Sequence, residues 1–448
     1  MKSITEETVL FLSIAKWFVL ASIIGVLTGL STSLFIYLLT WSISNYSRYP
    51  YYFLILPPAF FLSSWLVKTF APEAEGHGTE KVIEAVHQKG ARIQTMVIPI
   101  KLLSTIITLA AGGSAGKEGP CAQIGGGLAS TFAEMFRFSA ADRKKFVICG
   151  ISAGFASVFG TPIAGAIFGI EVLLVGGMMY EVLLPSFIAG VTAYQVSTAL
   201  GVGYFYQVID PVPAFSEVLF LEVILGGILF GLVSLLLIES MQFFHQLSRR
   251  LPFHPSVKAF LGGLVLVGLA FLFSERYLGL GLETIEATLV GEKAYWWDFA
   301  LKILFTSVTL SFGGSGGIVT PIFFIGATGG SFYGELMNVN PAAFAAIGMV
   351  SLLAGAANTP IAASILAIEL FGPKIAPYAA TSCVTAFLMT GHRSVYPSQI
   401  YAILKSASFK GGIGKQVEEM QTEFVLRHRS LTRLLLSLSR KFFSGRKK

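Results

Sequence analysis

Apolar runs recur along the whole of this 448-residue chain, near residues 10–40, 52–70, 95–111, 146–200, 218–240, 258–274, 298–312 and 342–390. Runs of this length span a bilayer. Inside a bilayer no water pairs with the backbone, so a spanning segment must close its own hydrogen bonds as a helix or join a closed barrel. With 54% hydrophobic and 13% charged residues and a mean hydropathy of +0.71, the chain reads as an all-α polytopic membrane protein. The first run carries Lys16 and lacks a small-residue cleavage site, so it reads as a retained helix rather than a signal peptide.

The formal net charge of +7 does not point to nucleic acid, because much of it is crowded into Arg427, Arg429, Arg433, Arg440, Lys441, Arg446, Lys447 and Lys448. Segment 411–448 is too short for a domain and reads as a basic, amphipathic cytoplasmic tail, either resting on anionic lipid or simply solvated. Cys121, Cys149 and Cys383 are too few and too scattered for a disulfide frame, and neither they nor the six histidines have metal-ligand spacing. No nucleotide-binding loop or catalytic triad motif is present. The expectation is therefore no cofactor, no metal and no enzyme, with an ion gradient as the energy source.

The chain is duplicated. Lys101, Thr105, Thr108, Leu109, Gly112, Gly113 and Ser114 recur as Lys302, Thr306, Thr309, Leu310, Gly313, Gly314 and Ser315, each at an offset of 201. Pro120 matches Pro321 at the same offset, and Thr161-Pro162-Ile163-Ala164 through Glu171 recurs as Thr359-Pro360-Ile361-Ala362 through Glu369. The expected organisation is a first membrane repeat over 1–200, a second over 201–410, and the tail. Such repeats build transporters with a binding site at the repeat interface. The residues alone leave open whether the copies run parallel or inverted.

Each repeat carries a glycine-rich string, Gly116-Lys117-Glu118-Gly119-Pro120 and Gly317-Ile318-Val319-Thr320-Pro321. Both read as starts of helices broken at membrane depth, where free N–H groups and the helix dipole receive an anion. Gly76-His77-Gly78-Thr79, before a helical run at 81–88, and Tyr396-Pro397, before 398–407, read as two further starts. Only the first string has a carboxylate, and an ionisable group at this depth costs roughly 2.5–3.5 kcal/mol on insertion scales. Ionised, Glu118 competes for the anion site; protonated, it releases the site. It would thus couple proton to anion movement, unless it merely caps its own helix or pairs with Lys117.

These strings resemble the signatures of the CLC family of chloride channels and anion/proton antiporters, in order and spacing over roughly 10–410. The resemblance implies a homodimer of subunits built from two inverted repeats of tilted, broken helices, each subunit with its own anion pathway. Departures are informative. The family's pore serine is replaced by His77, and Thr79-Glu80 stands for the usual Ile-Pro. Val319-Thr320 ends the third signature, and Val172 stands where chloride/proton antiporters carry an internal proton-relay glutamate. In these respects the chain is most similar to the bacterial fluoride/proton antiporter branch.

That resemblance implies export of cytoplasmic fluoride coupled to proton entry across a bacterial inner membrane. Glu118 would gate and carry the proton, with Thr320 and Tyr396 as hydroxyl partners. Gly116, Lys117, Gly119, Gly317, Ile318 and Val319 would form the anion site, the N–H groups of Ile318 and Val319 facing the ion. His77 either donates to the anion or faces the vestibule, and Thr79 is a candidate replacement for the missing serine. Fluoride, small and strongly hydrated, needs close donors such as hydroxyls. The alternative is a chloride/proton antiporter or passive chloride channel. Glu171 and Glu369 read as structural, and Lys101 and Lys302 as structural or snorkelling.

Overall fold

The computed structural model describes residues 2–420, apart from 211 and 213, together with 423–424; the side chains of 2–4 and 424 are excluded. The tail residues Arg427, Arg429, Arg433, Arg440, Lys441, Arg446, Lys447 and Lys448, and most of the expected amphipathic helix, lie outside the described residues; 411–420 forms loop.

The described residues form 16 helices. The first eight are α1 (Lys2–Tyr46), α2 (Leu56–Phe70), α3 (Thr79–Gln88), α4 (Val97–Ala110), α5 (Glu118–Met135), α6 (Ala140–Phe159), α7 (Pro162–Glu171) and α8 (Leu183–Ala199). The next eight are α9 (Glu217–Arg250), α10 (Pro255–Leu272), α11 (Leu282–Leu289), α12 (Asp298–Ser311), α13 (Val319–Leu336), α14 (Pro341–Ala357), α15 (Pro360–Phe371) and α16 (Ala376–Met389). The two sets follow one pattern of long and short helices, and among the described residues five segments are long and apolar enough to cross a membrane. Helices α5 and α13 lie outside the apolar runs yet are buried in the interior, and glycines and polar residues lower the hydropathy of α5.

Equivalent residues bound equivalent helices. Ser139 and Asn340, offset by 201, cap α6 and α14 by accepting from the N–H groups of Asp142 and Ala343. Pro162 and Pro360 open α7 and α15, where a missing N–H costs nothing. Packing repeats as well. Helix α1 lies on α8 as α9 lies on α16, and α5 on α6 as α13 on α14. A Cβ on Gly125 or on Gly150 would sit 2.3 Å from the other residue's carbonyl oxygen, and Gly326 and Gly348 stand in the same relation across α13 and α14. Backbone therefore touches backbone, as small residues allow between membrane helices.

Helix α1 identifies the two faces of the molecule. Lys16 lies 3.5 Å from Asp142, and Trp17 packs on Phe146, beside the end of α5, where Phe132 meets the same ring. Ser47, beyond the other end of α1, shares an open cavity with Lys293, which lies 4.0 Å from Glu335 near the end of α13. At 1.5 Å per residue these regions are roughly 45 Å apart. Helices α5 and α13 therefore run from a common centre to opposite faces, and the repeats are inverted. The face at the end of α5 is basic, with Lys89, Arg92, Arg137, Lys144 and Lys145.

Reciprocal carboxylates tie the halves together. Glu171 accepts from the N–H groups of Ile361 (3.0 Å) and Ala362 (2.7 Å), at the start of α15. Glu369 accepts from Ile163 (3.0 Å) and Ala164 (2.7 Å), at the start of α7. Each repeat caps a helix of the other, the structural role expected for both residues.

The helix expected after Tyr396-Pro397 does not form. Ile400–Tyr401 is a short strand parallel to Leu174–Val175, and the N–H groups of Ile400, Ala402 and Ile403 donate to Leu173 and Val175 carbonyls. Gln399 Nε2 also donates to the carbonyls of Val172 and Ala357, both at 2.8 Å. Partners distant in sequence take the donors that a helix would need.

Two changes probe this packing. Gly150→Ala inserts a methyl where backbones touch and is expected to cost about 1–3 kcal/mol. Glu171→Ala, by leaving the N–H groups of Ile361 and Ala362 unpaired, the latter buried, is expected to cost about 1–3 kcal/mol, while Glu171→Gln, which keeps an acceptor, costs less. Thermal unfolding in detergent measures both.

Candidate functional site

The two glycine strings meet at the centre of the molecule. Gly116 N–H donates to the Gly317 carbonyl at 2.7 Å, and Gly317 N–H donates to the Gly116 carbonyl at 2.6 Å. This antiparallel bridge sets the starts of α5 and α13 beside one another, pointing in from opposite faces. The loop before α3 packs onto the first turn of α5. A Cβ on Gly119 would meet the His77 carbonyl oxygen at 2.0 Å, and one on Gly78, whose φ is +82°, would meet the Gly119 carbonyl oxygen at 2.4 Å. Only glycine permits that approach.

Glu118 is 1% exposed. One of its oxygens accepts from the Thr320 hydroxyl at 2.5 Å, the other from the Thr320 N–H at 3.1 Å. The carboxylate thus occupies the start of the other repeat's helix α13, where backbone donors and the dipole favour negative charge. It neither pairs with Lys117 nor confines itself to its own helix. Lys117 instead lines, with Glu118, Thr320, Tyr204, Phe323 and Glu286, a vestibule of about 280 Å³ that opens on one side of the site.

On the side toward the basic face lie His77, Thr79 and Tyr396. The His77 and Tyr396 ring centroids are 5.5 Å apart. Tyr396 and Thr79 are 0% and 1% exposed. Their hydroxyls lie beside one another; with His77 Nδ1 they are buried without a protein hydrogen bond of ordinary geometry. Each such atom costs about 1–3 kcal/mol, which a bound anion accepting from them would recover. Of Thr320 and Tyr396, Glu118 is bonded to Thr320 alone.

Two wholly buried lysines brace the helix starts. Lys101 Nζ donates to the carbonyls of Ala74 (3.1 Å) and Gly76 (2.5 Å). Lys302 Nζ donates to those of Tyr277 (3.0 Å) and Gly279 (2.9 Å). They do not snorkel to water; each fixes the loop before a short helix through that loop's carbonyls. Their equivalence shows what the sequence reading missed. The second-repeat counterpart of Gly76-His77-Gly78 is Gly279-Leu280-Gly281, before α11, and not Tyr396-Pro397. The signal was the lysine offset together with two glycines spaced by one residue, at φ +55° and +72°. Four helix starts do surround the site, α3, α5, α11 and α13, and Leu282 and Ile285 of α11 line the vestibule.

The chain is similar to known proteins. Residues 59–391 match the family described as voltage gated chloride channel. A protein of Pseudomonas syringae pv. tomato named as a chloride/fluoride channel protein is 36% identical over 401 residues, covering 88% of this chain and 88% of that protein. The crystal structure of a CLC-type fluoride/proton antiporter superposes with a TM-score of 0.83 at 29% identity, covering 87% of this chain and 99% of the other. That of a slow cyanobacterial chloride/proton antiporter gives a TM-score of 0.73 at 22% identity over 84% and 94%, a likeness of fold.

Proposed function

This chain belongs to the voltage gated chloride channel, or CLC, family, and from that premise we propose that it is an antiporter that exports cytoplasmic fluoride in exchange for protons. The observation that carries the reading is the Glu118 carboxylate seated on the N–H and hydroxyl of Thr320. A place that holds a buried carboxylate holds an anion of the same charge. While ionised, Glu118 excludes the anion; once protonated from the vestibule it gives up the place, so proton and anion move in turn and in opposite directions.

Residues around it take defined parts. Gly116, Gly119 and Gly317 let the backbones close on the ion, Lys117 draws anions into the vestibule, and the N–H groups of Ile318 and Val319 face the ion at the start of α13. Thr320, Tyr396 and Thr79 supply hydroxyls, and His77 supplies a ring nitrogen on the far side. A strongly accepting ion such as fluoride gains most from that donor set. Support comes also from the two similar proteins whose descriptions include fluoride. The working assembly is a homodimer in a bacterial inner membrane. Its repeats span 1–200 and 201–410, and the basic face and the 411–448 tail lie in the cytoplasm, where positive loops are retained.

In proteoliposomes, a fluoride gradient is expected to drive protons uphill, with chloride far less effective. Equal responses would make the protein a chloride/proton antiporter, and anion flux without protons a passive channel. Glu118→Gln, unable to release a proton, is expected to lower coupled proton flux by about 10²-fold or more. Uphill proton movement by that variant would remove Glu118 from the mechanism. Thr320→Val deletes one hydroxyl donor to a charged partner, worth about 1.5–3 kcal/mol. Fluoride affinity measured calorimetrically should therefore weaken about 10–100-fold.

A further inference from the structure

One buried carboxylate remains outside this scheme. Glu80 is the second residue of α3, one residue from Thr79 and three from His77. One of its oxygens accepts from both the N–H (3.0 Å) and the hydroxyl (2.5 Å) of Ser398. Its other oxygen, Oε2, is buried without a hydrogen bond. Ser398 is itself fixed, because its neighbour Gln399 is bonded to Val172 and Ala357. The Tyr396 ring, wholly buried, lies within electrostatic reach of both Glu80 and Glu118. The charged groups acting on Glu80 are Lys81 and Glu84 of its own helix, and Glu84 is ion-paired to Lys81 and Lys89 toward the basic face. Where the chain passes close by after Glu171, Val172 offers only a carbonyl, already taken by Gln399.

We propose that Glu80 is the proton-exchange group on the basic-face side of the site, receiving the proton that Glu118 releases and passing it toward the cytoplasm. The proposal rests on the antiport reading above. The transfer balances as a protonated Glu118 and an ionised Glu80 becoming an ionised Glu118 and a protonated Glu80. Glu118 is held by Thr320 here, so the transfer follows its release from Thr320; the Tyr396 hydroxyl, which has no protein partner, can then take a proton on its oxygen while giving up its own, and only O–H bonds are exchanged. Ser398 positions the carboxylate and leaves Oε2 free to receive.

The test is simultaneous measurement of fluoride and proton flux in proteoliposomes for the wild-type chain, Glu80→Gln and Glu80→Asp. Glu80→Gln is expected to keep fluoride movement while its proton flux per fluoride falls about tenfold or more, and Glu80→Asp to restore part of it. An unchanged proton-to-fluoride ratio in Glu80→Gln overturns the proposal and leaves the antiport reading intact. Parallel loss of both fluxes, in protein that elutes as the wild type does, also overturns it by making Glu80 structural. Should Glu80→Gln not fold, Ser398→Ala decides. It is expected to shift the dependence of proton flux on internal pH and leave that on external pH unchanged; an unmoved internal profile refutes the role. A wild-type chain that moves anion without protons overturns both readings, and one that couples protons to chloride keeps Glu80 testable with that ion.

Discussion

Everything at the centre depends on two backbone hydrogen bonds, exchanged between Gly116 and Gly317. They hold together two chain segments that approach from opposite faces, and they do so with residues that carry no side chain to separate them. Because the segments are antiparallel, each leads into a helix whose N-terminal end lies at the bridge, and both positive dipole ends are spent on one small volume. The first turn of α5 is thereby presented to that of α13, and Glu118 finds Thr320 across the junction.

The bridge would be a weak point if the helices behind it were loose. They are not, because each is clasped to its follower through paired glycines, Gly125 with Gly150 and Gly326 with Gly348. Each loop before a short helix is also pinned by a buried lysine. In hydrocarbon an unpaired ammonium or carbonyl is costly. Lys101 and Lys302 avoid that cost by meeting loop carbonyls that had no helical partner of their own, so one pairing solves two problems. The same economy appears where Glu171 and Glu369 meet N–H groups at helix starts.

Much of this was legible in the residues. The 201-residue offset gave the duplication, and glycine-to-proline spacing located the starts of α5 and α13 where hydropathy did not. Other parts were hidden for physical reasons. The α11 start escaped notice because Leu280 and Leu282 stand where His77 and Thr79 stand in the first repeat, removing the polar cue and leaving only two glycines. Tyr396-Pro397 was misread because the segment's fate is set by Leu173 and Val175, more than two hundred positions earlier, and no local propensity records a distant partner. The residue types of Glu171 and Glu369 announced a structural duty. That each would serve the other's half could not be read until the copies were known to be inverted.

The crossed carboxylates make the two halves depend on each other. A contact in which residue i of one copy meets residue j of the other, and j meets i, is the signature of a two-fold dimer interface, here enclosed in a single chain. Either half taken alone would leave the N–H groups at one helix start and one carboxylate without partners, so neither half is a self-sufficient fold.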